Sequence, residues 1–235
     1  YNKKLNLKLT YLLVATASIL LGANLQAQNT SEEVEQLREN FLDAQRAINR
    51  GNFRTAEDLH EQLIEADYVL APYVEMSMHI GSGSRADDEQ ILAFLEEHEG
   101  TWLAEKLRLN WLNVLKSDRN YQLYVDHFVE DTGNKVQQCF YLEALYRLDR
   151  QEEAFEGAKE LWLVGESQPD QCDYIFNRWR RSSSFSEEYT WQRYILARRA
   201  GEIRFSNYLT SIIRSDEIDL RIRAYQTIRS NPEVL

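Results

Sequence analysis

The residue types that most often do chemistry are sparse in this chain and poorly grouped. Four histidines, His60, His79, His98 and His127, form neither an HExxH run nor any i, i+4 pair. A zinc centre on a helix needs two imidazoles one turn apart, so the spacing predicts no metal site. Gly81-Ser82-Gly83-Ser84 has the glycine content of a phosphate loop but lacks the lysine and the strand such a loop needs, and it reads as a flexible turn. Neither a nucleophile elbow nor a dinucleotide-binding glycine pattern occurs, and no cofactor is expected. Glu166-Ser167 offers a carboxyl group. General acid catalysis demands a carboxyl held protonated by an apolar cleft. This pair lies in a turn ahead of Pro169, so no catalytic residue is assigned.

Two further groups have the chemistry of recognition. Trp102, Trp111, Trp162, Trp179 and Trp191, with 13 tyrosines, have faces that stack on sugar rings, but at helical spacing such rings serve inter-helix packing first. Arg178, Arg180 and Arg181 with Arg193, Arg198 and Arg199 form a basic cluster, expected on solvated helix faces. Contact with carboxylates of a ligand, or with another domain, is the alternative.

The chain as a whole is acidic, with 27 Lys and Arg against 38 Asp and Glu. Nucleic acid and anionic lipid both need a basic footprint, so neither is expected as a partner. Residues 1–27 read as a secretory signal peptide. Lys3, Lys4 and Lys8 form its basic start, Tyr11 to Ala23 its apolar run, and Ala27 a small residue at the cleavage point. The apolar run is too short to span a bilayer as a helix, although an uncleaved anchor is the alternative reading. Without the three leader lysines the balance is 24 against 38, a net charge of −14. Cys139 and Cys172 are then an even number of cysteines in an exported chain, for which a disulfide is the default and two buried thiols the alternative.

The elements that must position these residues are helical. Only Pro72, Pro169 and Pro232 interrupt the chain, and no strand-like alternation persists. Thr30 and Glu33 form a capping box ahead of Leu37, Phe41, Ala44 and Ile48, which share one face before Gly51 stops the helix. Ala56, Leu59 and Leu63 follow on a second helix. Pro72 opens a third, with Tyr73, Met76 and Ile80 inward and the Gly-Ser turn at its end. Ile91, Leu92 and Leu95 mark a fourth, and Thr101 caps a fifth carrying Leu103, Leu107, Trp111 and Leu115. Asp118 is expected to begin a sixth, through Tyr121, Tyr124 and Phe128 to Gly133. The fold class is therefore all-α. Short helices on tight turns suggest antiparallel hairpins stacked as a TPR-like solenoid. A faint internal echo supports it: Phe41-Leu42-Asp43-Ala44 recurs as Tyr141-Leu142-Glu143-Ala144 and Tyr194-Ile195-Leu196-Ala197.

The densest stretch runs from Leu161 to Trp179, LWLVGESQPDQCDYIFNRW. Leu161, Trp162 and Leu163 close one helix, Gly165 is placed to take a left-handed conformation, and Pro169 sits at a helix start. Cys172, Ile175, Phe176 and Trp179 then recur on one helix face. These residues, as LWL-x-G-x-S-x-P-x-x-CD-x-IF-x-x-W, resemble the signature of the N-terminal superhelical domain of the soluble lytic murein transglycosylases. Leu107, Arg108, Trp111 and Leu112 (LRLNWL) and the run from Cys139 to Trp162 add to the resemblance, which covers about residues 30 to 235. The residues that carry it at fixed offsets are Leu161, Trp162, Gly165, Ser167, Pro169, Cys172, Asp173, Phe176 and Trp179. One departure is Tyr121, where the family often has Trp.

The resemblance implies several expectations. The Cys139–Cys172 disulfide is one. Others are a superhelical scaffold that is part of a larger U- or ring-shaped domain, a periplasmic location, and a following lysozyme-like domain with its catalytic glutamate in an E-S-x-[FY] segment. That segment does not occur in this chain. The whole enzyme would cleave the β-1,4 bond between N-acetylmuramic acid and N-acetylglucosamine, closing a 1,6-anhydro ring without water. Its partners would be glycan strands, the catalytic domain of the same polypeptide and cell-wall synthesis proteins. The start on Tyr1 and the stop at Leu235 after an amphipathic helix fit a fragment of a longer frame. The rival expectation is a free-standing periplasmic α-solenoid that binds a protein and has no enzyme attached.

Overall fold

The computed structural model describes residues 32–130, 134–231 and 233. The leader, Thr30 of the capping box, Gly133 and Pro232 lie outside the described residues. Twelve α-helices and no strand occur among the described residues, and none of those helices is long and apolar enough to cross a membrane. The helices fall into two units, one ending at Arg108 and the other beginning at Leu109.

The first unit holds α1 (32–49), α2 (Phe53–Glu65), α3 (Ala71–Ser82) and α4 (Asp88–Glu97), and the first residues of α5 (Trp102–Asp118). Side chains set the starts: Asn52 accepts from the Thr55 amide, Asp87 from Glu89 and Thr101 from Ala104. Its core is made of small residues, Ala44, Ala47, Ala56 and Ala71 with Ile48, Leu63 and Val74, which lets the backbones approach closely. Two expectations for α3 change. Tyr73 is exposed, and the inward residues are Ala71, Val74 and Met76. The helix also continues through Gly81, where a β-carbon would stand 3.1 Å from the Phe53 ring, so this glycine serves packing and Gly83, at φ +55°, makes the turn.

The second unit holds the rest of α5 and α6 (Tyr121–His127), α7 (Lys135–Arg147), α8 (Gln151–Trp162), α9 (Asp173–Trp179), α10 (Glu187–Ala200), α11 (Ile203–Ser211) and α12 (Asp216–Ser230). Asp118 belongs to the end of α5 rather than the start of α6. Arg119 takes a left-handed conformation, and Asn120, whose side chain accepts from the Leu123 amide, is the better cap. Phe128 is already extended. Consecutive helices pack side by side: α6 on α7, α7 on α8, α8 on α9 and α10 on α11.

The hairpins share one closing device. Gly51, Asp149 and Gly201 are left-handed, and the amide of each following residue reaches back five residues: Asn52 to Ala47 at 2.9 Å, Arg150 to Leu145 at 3.0 Å, Glu202 to Ala197 at 2.9 Å. This is the Schellman turn. The three echoed segments each lie on the first helix of such a hairpin, with Ala44, Ala144 and Ala197 fully buried.

Candidate functional site

The site is built around the connection between α8 and α9. α8 stops at Trp162, the chain turns through 163–169, and a short 3-10 turn, Asp170–Cys172, leads into α9. Pro169, with φ −56° and ψ 150°, stands just before that turn. Gly165 does not adopt the expected left-handed conformation. Its reason is space: a β-carbon there would lie 2.8 Å from the Leu196 carbonyl oxygen of α10. Cys172 forms a disulfide with Cys139 of α7, with Cα atoms 4.8 Å apart and both residues fully buried. The expected apolar face, Cys172, Ile175, Phe176 and Trp179, is buried throughout. Leu107, Trp111 and Leu112 of α5 are buried as well, whereas Arg108 is half-buried.

Trp162 is the centre of an aromatic cluster. Its ring meets Phe176, Trp179 and Phe185 edge to face, and its indole N–H donates to the Tyr189 carbonyl at 3.2 Å. Against this cluster lies Arg193 of α10, only 3 % exposed. Its guanidinium carbon sits 4.2 Å from the Trp162 ring centre, 4.8 Å from Phe205 and 5.4 Å from Phe176. Nη2 donates to the Glu166 carbonyl at 3.3 Å, while the buried Nε finds no acceptor among the described residues. Burial lowers the Arg193 pKa to about 10, so it remains a cation at neutral pH.

Arg180 of α9 is the neighbouring cation. It is half-buried above the Trp162 and Phe185 rings, its Nη2 donates to the Ile212 carbonyl at 2.9 Å, and its Nε also lacks an acceptor. No carboxylate among the described residues comes within 4.0 Å of either guanidinium. Both arginines line a cavity of about 100 Å³ together with Ser167, Gln168 and Asp173. The Gln168 side-chain oxygen Oε1 is buried without a donor. Burial raises the Asp173 carboxyl, Asp170 adds to the rise, and Arg193 opposes it.

The basic cluster is thus divided. Arg181 and Arg199 are solvated as expected, and Arg178 lies over the Tyr146 and Tyr174 rings at an exposed position. Arg193 and Arg180 depart from that expectation, because the aromatic rings around them come from α8, α9, α11 and the turn before α10. Glu166 is exposed and contributes its main-chain carbonyl to Arg193, which is the role the structure gives it.

Two other clusters bear polar groups. A cavity of about 400 Å³ in the second unit is lined by Phe128 stacked on Tyr141, by Leu142 and Leu145, and by Glu130, Glu153 and Glu160. In the first unit, Glu75 lies between two imidazoles, 3.9 Å from His60 Nε2 and 3.8 Å from His79 Nε2. The carboxylate–histidine step from Glu75 to His79 is an i, i+4 relation that a search for paired histidines passes over. His60 arrives from a separate helix. No metal-holding group of three or more His, Cys, Asp or Glu occurs among the described residues.

With this geometry in hand, the chain can be set beside known proteins. It is 26% identical over 223 residues to the soluble lytic murein transglycosylase of Escherichia coli K12, covering 95% of this chain and 33% of that protein. The Salmonella typhimurium LT2 enzyme of the same name is 26% identical over 200 residues, 85% of this chain and 30% of the relative. The crystal structure of the 70 kDa soluble lytic transglycosylase from Escherichia coli superposes with a TM-score of 0.66 at 26% identity, over 83% of this chain and 30% of that one. This chain is a distant homologue of the soluble lytic murein transglycosylases. The lytic transglycosylase Slt of Pseudomonas aeruginosa, an inactive mutant, shares the fold with a TM-score of 0.67 at 24% identity, over 83% of this chain and 31% of that one. No family model matches the chain. It spans about a third of the length of the curated relatives it matches.

Proposed function

We propose that this chain is the N-terminal portion of the superhelical domain of a periplasmic lytic transglycosylase, and that it holds murein glycan strands for a catalytic domain on the same polypeptide. The observation that carries this reading is homology across nearly the whole chain, joined to a structural likeness over 83% of it. The disulfide fits an oxidising compartment outside the cytoplasm. The reaction of the whole enzyme would be non-hydrolytic cleavage of the β-1,4 bond, with a single carboxyl group protonating the glycosidic oxygen and then accepting the C6 hydroxyl proton. That carboxyl would come from outside residues 1–235. The contribution of this part would be positioning, which converts an encounter into a held geometry.

Co-sedimentation of the purified chain with murein sacculi tests the holding role, and chromatography of the supernatant tests for chemistry. The expected result is retention on sacculi with no released 1,6-anhydromuropeptides. Release of such products would show that catalysis resides in this chain, and failure to co-sediment would remove the substrate-holding role.

A further inference from the structure

Arg193 is a cation that the fold buries with no carboxylate of the described residues within 4.0 Å, the carboxylate that acts on it being Asp173. A guanidinium carries five N–H donors in a fixed fork, and each one left unmet away from water is costly. Aromatic faces stabilise the charge but accept no hydrogen bond in its plane. Arg180 repeats the pattern beside it, and both line the same cavity of about 100 Å³. A third buried group, the side-chain oxygen Oε1 of Gln168, which lines the same cavity, has the opposite need, for a donor. We propose that this cavity binds a small carboxylate whose two oxygens meet Arg193 and Arg180 and whose neighbouring amide N–H donates to Gln168, the arrangement found at the C-terminal end of an N-acylated glycine or alanine.

Each part of that ligand answers a feature of the cavity. Planar guanidinium forks match a planar carboxylate, and the Trp162, Phe176 and Phe205 rings keep the pair in a low-dielectric setting where it is strong. A phosphodiester, which has no O–H, would satisfy the arginines and leave Gln168 unmet. The volume admits a glycine or alanine end. Asp173 lines the same cavity, and its negative charge competes with an incoming carboxylate. Glu187, Arg181 and Arg214 are the other charged groups that act on Arg180. The site stands on this geometry alone and does not depend on the murein reading.

The test is an NMR titration of the chain with N-acetylglycine, following the Nε–Hε signals of Arg193 and Arg180. Both signals should shift saturably, and neither should respond to the neutral N-acetylglycinamide. O-acetylglycolate, with oxygen in place of the N–H, should bind about tenfold more weakly, and Gln168→Leu should erase that difference. Asp173→Asn, a change at an exposed residue, should tighten binding by removing the competing charge. Arg193→Lys should abolish binding, with folding checked by circular dichroism; if that variant does not fold, the Asp173→Asn titration carries the comparison. The absence of a saturable shift with N-acetylglycine would overturn the proposal. An equal response to dimethyl phosphate, or weaker binding by Asp173→Asn, would do the same.

Discussion

Gly165 lies against the main chain of Leu196, so close that a β-carbon would stand 2.8 Å from its carbonyl oxygen and 3.0 Å from the Ala200 side chain. Neither neighbour can rotate away. Gly165→Ala should therefore push the 163–169 turn off α10, at a cost of about 1–3 kcal/mol. Gly157 is the control. Its nearest neighbour is a Leu142 methyl at 2.5 Å, the free end of a side chain that borders the larger cavity. Leu142 can turn aside, and alanine gains about 1 kcal/mol in helix propensity over glycine. Gly157→Ala should be close to neutral. Urea midpoints of the two variants measure the contrast, and equal losses would refute the distinction between backbone and side-chain obstruction.

The disulfide ties α7 to the 3-10 turn before α9 across 33 residues of sequence. Closing a loop of that length removes unfolded-state entropy equivalent to about 3–4 kcal/mol. Denaturation with and without reductant should show a loss of that order, confined to the second unit. Hydrogen exchange provides the location: amides of α7, α8 and α9 should lose protection on reduction, and those of α2 and α3 should keep it. Uniform loss across both units would mean that the link supports more of the chain than its own neighbourhood.

Much of this arrangement was legible in the sequence, and the part that was not has physical causes. Periodicity revealed the buried face from Cys172 to Trp179, because a helix face is a local property. Thr101 was readable as a cap for the same reason. The Arg193 cage was hidden, since its rings come from Trp162, Phe176 and Phe205, on three helices other than its own. Arginine in an acidic chain reads as solvated unless the aromatic residues can be seen to converge. Gly165 was misread because a glycine serves either a left-handed turn or a close approach, and only the position of Leu196 separates the two. The signal that existed, an unusual density of Trp, Phe and Arg between 161 and 205, indicated the place without indicating the contact.

The His60–Glu75–His79 cluster should make the first unit sensitive to acid. Burial lowers the His60 pKa, outweighing the opposing pull of Glu75, the Ala71 backbone and Glu61, while His79 lowers it further. Below about pH 6.5 an unfolded His60 takes up a proton that the folded one resists, so the unfolded state binds more protons and stability falls with pH. Glu75 acts in the same direction at lower pH. The His79 imidazole, with His60 and His98 adding to it, holds its carboxylate below the usual range, and the stability this gives is lost as the carboxylate protonates. The urea midpoint should drop between about pH 7.5 and about pH 5.5, and His60→Gln should flatten that slope. A slope unchanged in the variant would assign the acid sensitivity to other groups.

Trp162 combines two functions that a single substitution can separate. Its indole N–H donates a second hydrogen bond to the Tyr189 carbonyl of α10, and its face stabilises the Arg193 cation. Trp162→Phe keeps an aromatic face, weaker toward cations, and removes the donor. The Tyr189 carbonyl keeps its place in the α10 helical ladder, so the lost hydrogen bond should cost about 0.5–1.5 kcal/mol. The smaller ring should also loosen the cage, so that the Arg193 Nε–Hε proton exchanges faster with water. Trp191→Phe is the comparison, because that ring is half-buried against Tyr194 and Tyr225. It should lose less stability and leave the Arg193 exchange rate unchanged. Stability loss in Trp162→Phe without faster exchange would show that Phe176 and Phe205 alone hold the guanidinium, and that Trp162 acts through its hydrogen bond.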